Sequence, residues 1–467
     1  MKRLFYLMFS LMAIFGARAQ KALPKSHISC TFCSMSIKDE LHTAQIDQHD
    51  SSLFFGSIEC MMNYLSAHPN VKKEQLFIAD YNDNGNFIEA KNAFYLQSRA
   101  IKSPMGENLT GFSTRKAAEK ATDLKGDQIF DWDQLQEKFS GPATGLMLHD
   151  HSRPDAHAPI GVMGDHLHHQ GSLMFSFRYM NMQMQGLQHG TEELDNADVL
   201  AKYMMAPEEM DMNMYMLGLM YAPSSNLTLM LMQSYLSKDM DMQMKMLMSG
   251  MPVYTSFSTA SSGWGDLSLQ ALYGIFSIGN TSLHLNAGLS LPLGSIDRRD
   301  DTPMADNARL PYPMQLSSGT FDLLLGSTFK QTFEDASWGA QFMATLRTGE
   351  NDNDYRLGNS YKLNTWAAYR LLTNLSLSGR IMGSTTNGIK GADPELNPMM
   401  SPTANASYSG GELVKAFAGF NIAFSQTSFL KDLRLGAEAG YPVYANYNGI
   451  QMDEELSFIL GLKYSIL

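Results

Sequence analysis

Only three cysteines occur among the 467 residues, Cys30, Cys33 and Cys60, and none follows position 60. Disulfides therefore cannot brace the rest of the chain, whose fold must rest on packing and backbone pairing. Basic residues are also scarce: 35 Lys and Arg face 47 Asp and Glu, a formal charge of -12. That balance excludes the concentrated basic surface a nucleic-acid partner requires. After the first twenty residues no run of about 18 apolar side chains appears, so no membrane-crossing helix is expected. Neither G-x-S-x-G, H-E-x-x-H nor a glycine-rich phosphate loop is present, and the chain reads as a non-enzyme.

What is present starts with the three parts of a secretory signal: Lys2 and Arg3, an apolar run from Leu4 to Phe15, then Ala17-Arg18-Ala19 ahead of Gln20. Residues 1–19 are set aside on that basis, and the mature chain is expected outside the cytoplasm. No cysteine stands at the cleavage point, so a lipoprotein is not indicated. In an oxidising compartment, three cysteines leave at least one thiol free or metal-bound.

Residues 20–139 read as a small α+β domain. Apolar runs at Ser52–Phe55, Leu76–Tyr81 and Ala93–Leu96 predict short strands. Ile58–Leu65 and Arg115–Thr122 have helical spacing, with Ser113 or Thr114 available as a cap. Asp80 to Gly85 fails as an EF-hand loop, because its twelfth position is Lys91, and Asp83-Asn84-Gly85 is instead a hairpin turn. The chemistry lies in Cys30-Thr-Phe-Cys33-Ser-Met35, two thiols and a thioether within six residues. Such soft donors select Cu(I); a simple Cys30–Cys33 disulfide with Met35 in the core is the rival reading.

Cys30-x-x-Cys33-x-Met35, then Phe55-Gly-Ser-Ile58-x-Cys60, Ala79-Asp80-Tyr81, Pro104-Met105-Gly106 and Phe112 resemble the NosL family, periplasmic Cu(I) chaperones associated with nitrous oxide reductase. The resemblance implies copper as cargo, with a motif cysteine (Cys30 or Cys33) and Met35 as leading ligands and Met105 or a histidine completing the site. Ser34 departs from the glycine usual before the motif methionine.

Residues 140–170 carry Gly141-Pro142, Pro154 and Pro159 with little hydrophobic periodicity, and read as a linker. Half of the 12 histidines fall here: His149, His151, His157, His166, His168 and His169, accompanied by Met147 and Met163. The tract is either a solvated spacer or a metal-binding segment.

From 171 to 467 the pattern is alternation. Leu283, Leu285, Ala287, Leu289 and Leu291 alternate with His284, Asn286, Gly288 and Ser290, and similar segments recur about twelve times. Segments of about ten residues with this repeat and aromatic ends predict a mainly β fold, a roughly 12-stranded antiparallel outer-membrane barrel. Short connections at 222–225, 277–282, 332–336, 372–374 and 425–432 alternate with long ones at 186–208, 249–263, 294–318, 349–358 and 383–410. Short turns face the periplasm, which puts both barrel ends and the N-terminal domain there. Ala158-Pro-Ile-Gly-Val-Met163-Gly-Asp165-His166, Leu289-Ser-Leu-Pro-Leu-Gly294 and Ser318-Gly319-Thr-Phe-Asp322 also resemble barrels of the MetA phenol-degradation-pathway type.

Nineteen of the 35 methionines lie between Met174 and Met251. Met180, Met182 and Met184, then Met210, Met212, Met214 and Met216, then Met240, Met242 and Met244 occupy alternate positions. Their odd-numbered neighbours Phe175, Phe177, Tyr215 and Leu217 must face lipid, so the thioethers point into the lumen. A Met-lined mouth on the long-loop side, mixed charges and water in the lumen, the histidine tract and the NosL-like domain together suggest a path for Cu(I) to a periplasmic acceptor protein. The alternatives are a channel for apolar or aromatic small molecules, with methionine as greasy lining or plug contact, or a plugged, metal-sequestering surface protein.

Overall fold

The computed structural model describes residues 30–32, 37, 40–48, 51–68, 75–83, 86–98, 100–105, 107–122, 126–139, 153–168, 170–278, 281–333, 335–424 and 433–465. Two compact units divide between Thr144 and Gly145.

The first unit has two small antiparallel sheets. β1 (Ala44–Asp47), β2 (Ser52–Phe55), β3 (Leu76–Ala79) and β4 (Phe87–Glu89) form one in the order β2-β1-β3-β4; β5 (Phe94–Gln97), β6 (Leu109–Phe112) and β7 (Gln128–Phe130) form the other in the order β6-β5-β7. Helices α1 (Ile58–Ala67), α2 (Arg115–Lys120) and α3 (Trp132–Phe139) accompany them. Ser57 caps α1 by accepting from the Cys60 amide, and Thr114 caps α2 by accepting from Ala117. β3 and β4 pair around the expected turn, with Asp80 N donating to Asn86 O at 2.9 Å. β1, β4, β6, β7 and α3, too short or too polar to show periodicity, were not legible in the sequence.

The second unit is a barrel. β8 (Leu173–Gly190), a short β9 (Glu192–Leu194), α4 (Asn196–Lys202), β10 (Met205–Ser224), β11 (Leu227–Met248), β12 (Met251–Ile278) and β13 (Thr281–Leu291) lead into a long external connection holding β14 (Arg299–Thr302) and β15 (Ala305–Arg309). β16 (Asp322–Thr332), β17 (Ala336–Arg347), β18 (Tyr355–Arg356), β19 (Ser360–Leu372), β20 (Leu375–Thr386), β21 (Lys390–Gly391), β22 (Gly411–Ala423) and β23 (Leu433–Ser465) follow.

The main sheet holds 12 strands, of which β9 lies outside the ring; the other eleven close through the pairing of β10 with β8. β23 is counted as one strand yet crosses the wall twice. Its residues 434–447 run antiparallel to β22, and 450–465 run antiparallel to β8. Since directions alternate around the ring, the chain must reverse between Tyr447 and Ile450, and it does so at Asn448-Gly449, where Gly449 has φ +83°. The ring thus makes twelve crossings, an even number, as expected.

The outward face is apolar: Phe175, Phe177, Leu217, Leu229, Leu285 and Leu460 are exposed. Aromatic pairs stand toward both ends, Tyr179 with Tyr215 (5.3 Å) and Phe329 with Trp338 (5.2 Å). An exposed apolar band with aromatic rims is what lipid contact requires. The barrel is therefore an outer-membrane one. Short turns join β10 to β11 and β19 to β20 at one end, where β8 also begins, since Gly171 N donates to Ala222 O at 2.7 Å. The chain enters from that periplasmic side, so the N-terminal domain is periplasmic.

One long loop expected at 249–263 is instead strand: Met248 pairs directly with Met251, and β11 and β12 continue as a hairpin beyond the barrel. Alternation there was interrupted by serines, which pair as well as any residue once a partner strand is alongside.

Candidate metal and ligand sites

In the N-terminal domain Cys30 and Cys60 are both buried in one core with Met61, Met62, Phe55 and Tyr95, and half-buried Met105 packs against it. Cys30, Cys60, Met61, Met62 and Met105 thus belong to the same core, and sulfur is a donor suited to soft ions. Cys33 and Met35 lie outside the described residues, as do His149, His151 and His169.

The segment expected as a linker behaves otherwise. Arg153 to His168 fills the inner half of the barrel. Arg153 Nη2 donates to Phe333 O at 3.0 Å, at the periplasmic turn. The chain then climbs until Ile160 O accepts from Arg178 Nε at 3.0 Å and Met163 O accepts from Gln341 Nε2 at 2.8 Å. It returns to His168, whose amide donates to Thr228 Oγ1 at 3.0 Å, near the start of β11. Val162 N to Pro159 O (2.9 Å) and Ala158 N to Asp165 Oδ2 (2.9 Å) tie the hairpin together. Lys330 Nζ donates to Ala156 O at 2.7 Å, and His284 Nε2 lies 2.9 Å from Gly164 O. A free linker would satisfy these groups with water; here inward-facing wall residues do so, which fixes the segment as a plug.

The plug brings together three of the six predicted histidines. His166 Nδ1 lies 2.9 Å from Asp165 Oδ1, and His157 Nδ1 lies 3.8 Å from Asp165 Oδ2. The His166 ring stands 4.4 Å from that of His157 and 4.6 Å from that of His168. Donor atoms of His157, Asp165 and His166 all fall within 4.8 Å of one another. Asp165 is the member sequence reasoning missed, although it sits beside His166 in the chain. The donor types fit a divalent ion, but Lys463 Nζ, 3.4 Å from Asp165, and Lys330 and Arg178 nearby raise the electrostatic cost of adding one.

Parity places the methionines as expected, inward, but most are packed rather than presented. Met174, Met216, Met220, Met230 and Met232 form a cluster with Met163 and Leu167 of the plug, and Met180 and Met214 pack against it. Farther out, Met210, Met240, Met242 and Met244 are buried with Val199, Leu200, Leu310 and Met314 under the external loops, with Met184 half-buried beside them. Inside the ring the thioethers meet a plug and infolded loops, and methionine fills the irregular gaps. Met182 and Met212 are half-buried, facing each other across β8 and β10.

The outer half of the lumen retains a cavity of about 410 Å³, lined by Met184, Met210, Tyr312, Tyr408, Tyr447, Ile450, Met452, Arg347 and Glu454. Two external loops covering the mouth are joined by ions, Arg299 Nη2 to Glu395 (2.5 Å) and Arg309 Nη2 to Glu395 (2.7 Å), while Arg309 also pairs with Asp297 within its own loop. Hydrogen bonds from Arg309 and Asn353 hold the Asp297 carboxyl below its ordinary value, and those from Arg299 and Arg309 do the same for Glu395. A depressed carboxylate stabilises above its unfolded pKa, and this is lost as pH falls through the folded one. Amide exchange at 295–315 and 390–398 is therefore expected to accelerate, beyond its intrinsic pH dependence, below about pH 4.

Residues 22–140 match the NosL family, and residues 221–437 match the family described as putative MetA-pathway of phenol degradation. The chain thus resembles the NosL family in its first unit and the MetA-pathway type in its barrel. The NosL-like segment is 21% identical over 140 residues to the copper-binding lipoprotein NosL of Stutzerimonas stutzeri, covering 27% of this chain and 74% of that protein. Among solved structures, the copper chaperone NosL of Shewanella denitrificans aligns at a TM-score of 0.23 and 19% identity, over 26% of this chain and 99% of its own. An outer membrane channel from Pseudomonas putida F1 aligns at 0.46 and 15% identity, over 66% and 100%.

Proposed function

We propose that the protein handles copper at the outer membrane, its NosL domain binding Cu(I) on the periplasmic side through Cys30, Cys33 and Met35, with Met105 adjoining. The observation that carries this reading is the burial of Cys30 in a core that also holds Cys60, Met61 and Met62, in a domain similar to a copper-binding lipoprotein. Thiolate and thioether together hold Cu(I) more tightly than thioethers alone, and water exclusion protects the thiol. The work is binding and transfer to a periplasmic acceptor protein, not catalysis. With the inner lumen filled by 153–168, retention on the periplasmic side is favoured over free passage of ions through the ring.

A second reading has one observation of its own. The cavity of about 410 Å³, with three tyrosines and several apolar side chains, is of a size and character that suits a small apolar or aromatic molecule. The barrel would then serve as a channel and the NosL domain as an accessory.

Competition between the purified full chain and a chromophoric Cu(I) chelator under reducing conditions separates the two. Cys30→Ser with Met35→Leu is expected to weaken the tightest Cu(I) site by at least about tenfold, roughly 1.4 kcal/mol. Unchanged affinity would sink the copper reading and leave the channel.

A further inference from the structure

Register pairing with β10 ends at Met244, and after Lys245, whose amide donates to Met204 O at 2.8 Å, β11 and β12 pair only with each other. They are joined by Ser249-Gly250, with φ of +53° and +79°, the two-residue turn favoured by twisted hairpins. Met248 and Met251 stand directly opposite each other across this turn, and Met246 lies one rung below, opposite Val253. The two-residue period puts all three on one face. Met248 is 59% exposed and Met251 67%, whereas Met240 and Met244 on the same strand are fully buried. Met246 is half-buried and packs against the cluster of Met210, Met240, Met242 and Met244, so packing accounts for the buried pair and in part for Met246, but not for Met248 and Met251.

Directly opposed Cβ atoms lie about 5 Å apart and diagonal neighbours roughly 7 Å. Methionine's flexible side chain lets three thioether sulfurs converge across such distances. Lys245, the nearest basic residue in the chain, is turned away and donates to Leu200 O.

We propose that Met246, Met248 and Met251 form an external site for a soft monovalent cation, Cu(I) or its chemical analogue Ag(I), at the tip of the hairpin. The inference rests on the copper reading only for the identity of the natural ion. Uncharged thioethers need no deprotonation and discriminate by softness, so the site takes Ag(I) and Cu(I) and rejects Zn(II) and Ca(II).

The test is Ag(I) titration of the full chain in detergent micelles with methyl-labelled methionine, each signal assigned by single Met→Leu changes. The Met246, Met248 and Met251 methyl signals are expected to shift together and saturate at one ion. In Met248→Leu with Met251→Leu, the Met246 signal should need at least about tenfold more silver to shift, while gel mobility reports an intact barrel. A Met246 response unchanged in the double variant, or equal shifts with Zn(II), overturns the site. The Cys30→Ser, Met35→Leu chain is run in parallel. Loss of tip binding with normal NosL-domain binding refutes only the tip, and the converse refutes only the copper reading.

Discussion

Replacing Gly161 by leucine is expected to raise the ion current through single barrels in planar bilayers by at least about tenfold. A Cβ at Gly161 would lie 2.5 Å from Arg380 Nη2, 2.6 Å from Glu438 Oε2 and 2.8 Å from Ile459 Cδ1. Those are side-chain ends that elsewhere could swing aside. Here Arg380 and Glu438 are locked in a buried ion pair, with Nε to Oε1 at 2.9 Å, and Arg380 Nη1 also donates to Asn364 Oδ1 at 2.9 Å. Leucine adds four carbons to a place that cannot take one, so the plug must leave. The barrel wall keeps its pairing, so heat-dependent gel mobility should be unaltered. Deleting 154–167 is the companion variant and should give the same current. Currents unchanged in both would mean that the external loops, not the plug, seal the barrel.

The wall was legible in the sequence because strand side chains alternate and lipid admits only apolar ones. Once Phe175, Tyr215 and Leu229 were assigned outward, Met174, Met216 and Met230 had to face inward, and they do. Parity reports a direction, however, and says nothing about what waits there. The plug was missed because its surroundings are polar. His157, Asp165 and His166 are buried against lysines and arginines of the wall, and that interior needs no hydrophobic run to announce it. A trace was present: Ala156, Ala158, Ile160 and Val162 are apolar at alternate positions and all buried, a regularity a solvated linker has no reason to keep. Loop infolding was illegible for a related reason. Tyr312 and Met314 are buried in a loop held from about 75 residues away in the chain, where Lys238 Nζ donates to Pro313 O and Gln315 O, both at 2.6 Å. No local period encodes a long-range lysine-to-carbonyl bond.

The second large effect concerns the charge that holds plug and wall together. Glu438 pairs with Arg380, and its Oε2 also accepts from the Gly161 amide of the plug. Both side chains of the pair are almost wholly buried, and the guanidinium stacks on Phe417 with its carbon 3.7 Å from the ring centroid. Glu438→Ala leaves that guanidinium in the lumen without its counter-charge, and the plug amide without its acceptor. Removing one partner of such a pair is expected to destabilise the barrel by about 3–5 kcal/mol, read as a lowered urea midpoint for unfolding from lipid vesicles. Glu438→Gln keeps an acceptor for Gly161 but not the charge, so it should fall between wild type and alanine. Replacing both partners, Arg380→Met with Glu438→Leu, removes the desolvated charges altogether and should recover most of the loss. If alanine alone lowers the stability by less than about 1 kcal/mol, water already reaches the pair and the inner lumen is not sealed by residues 153–168.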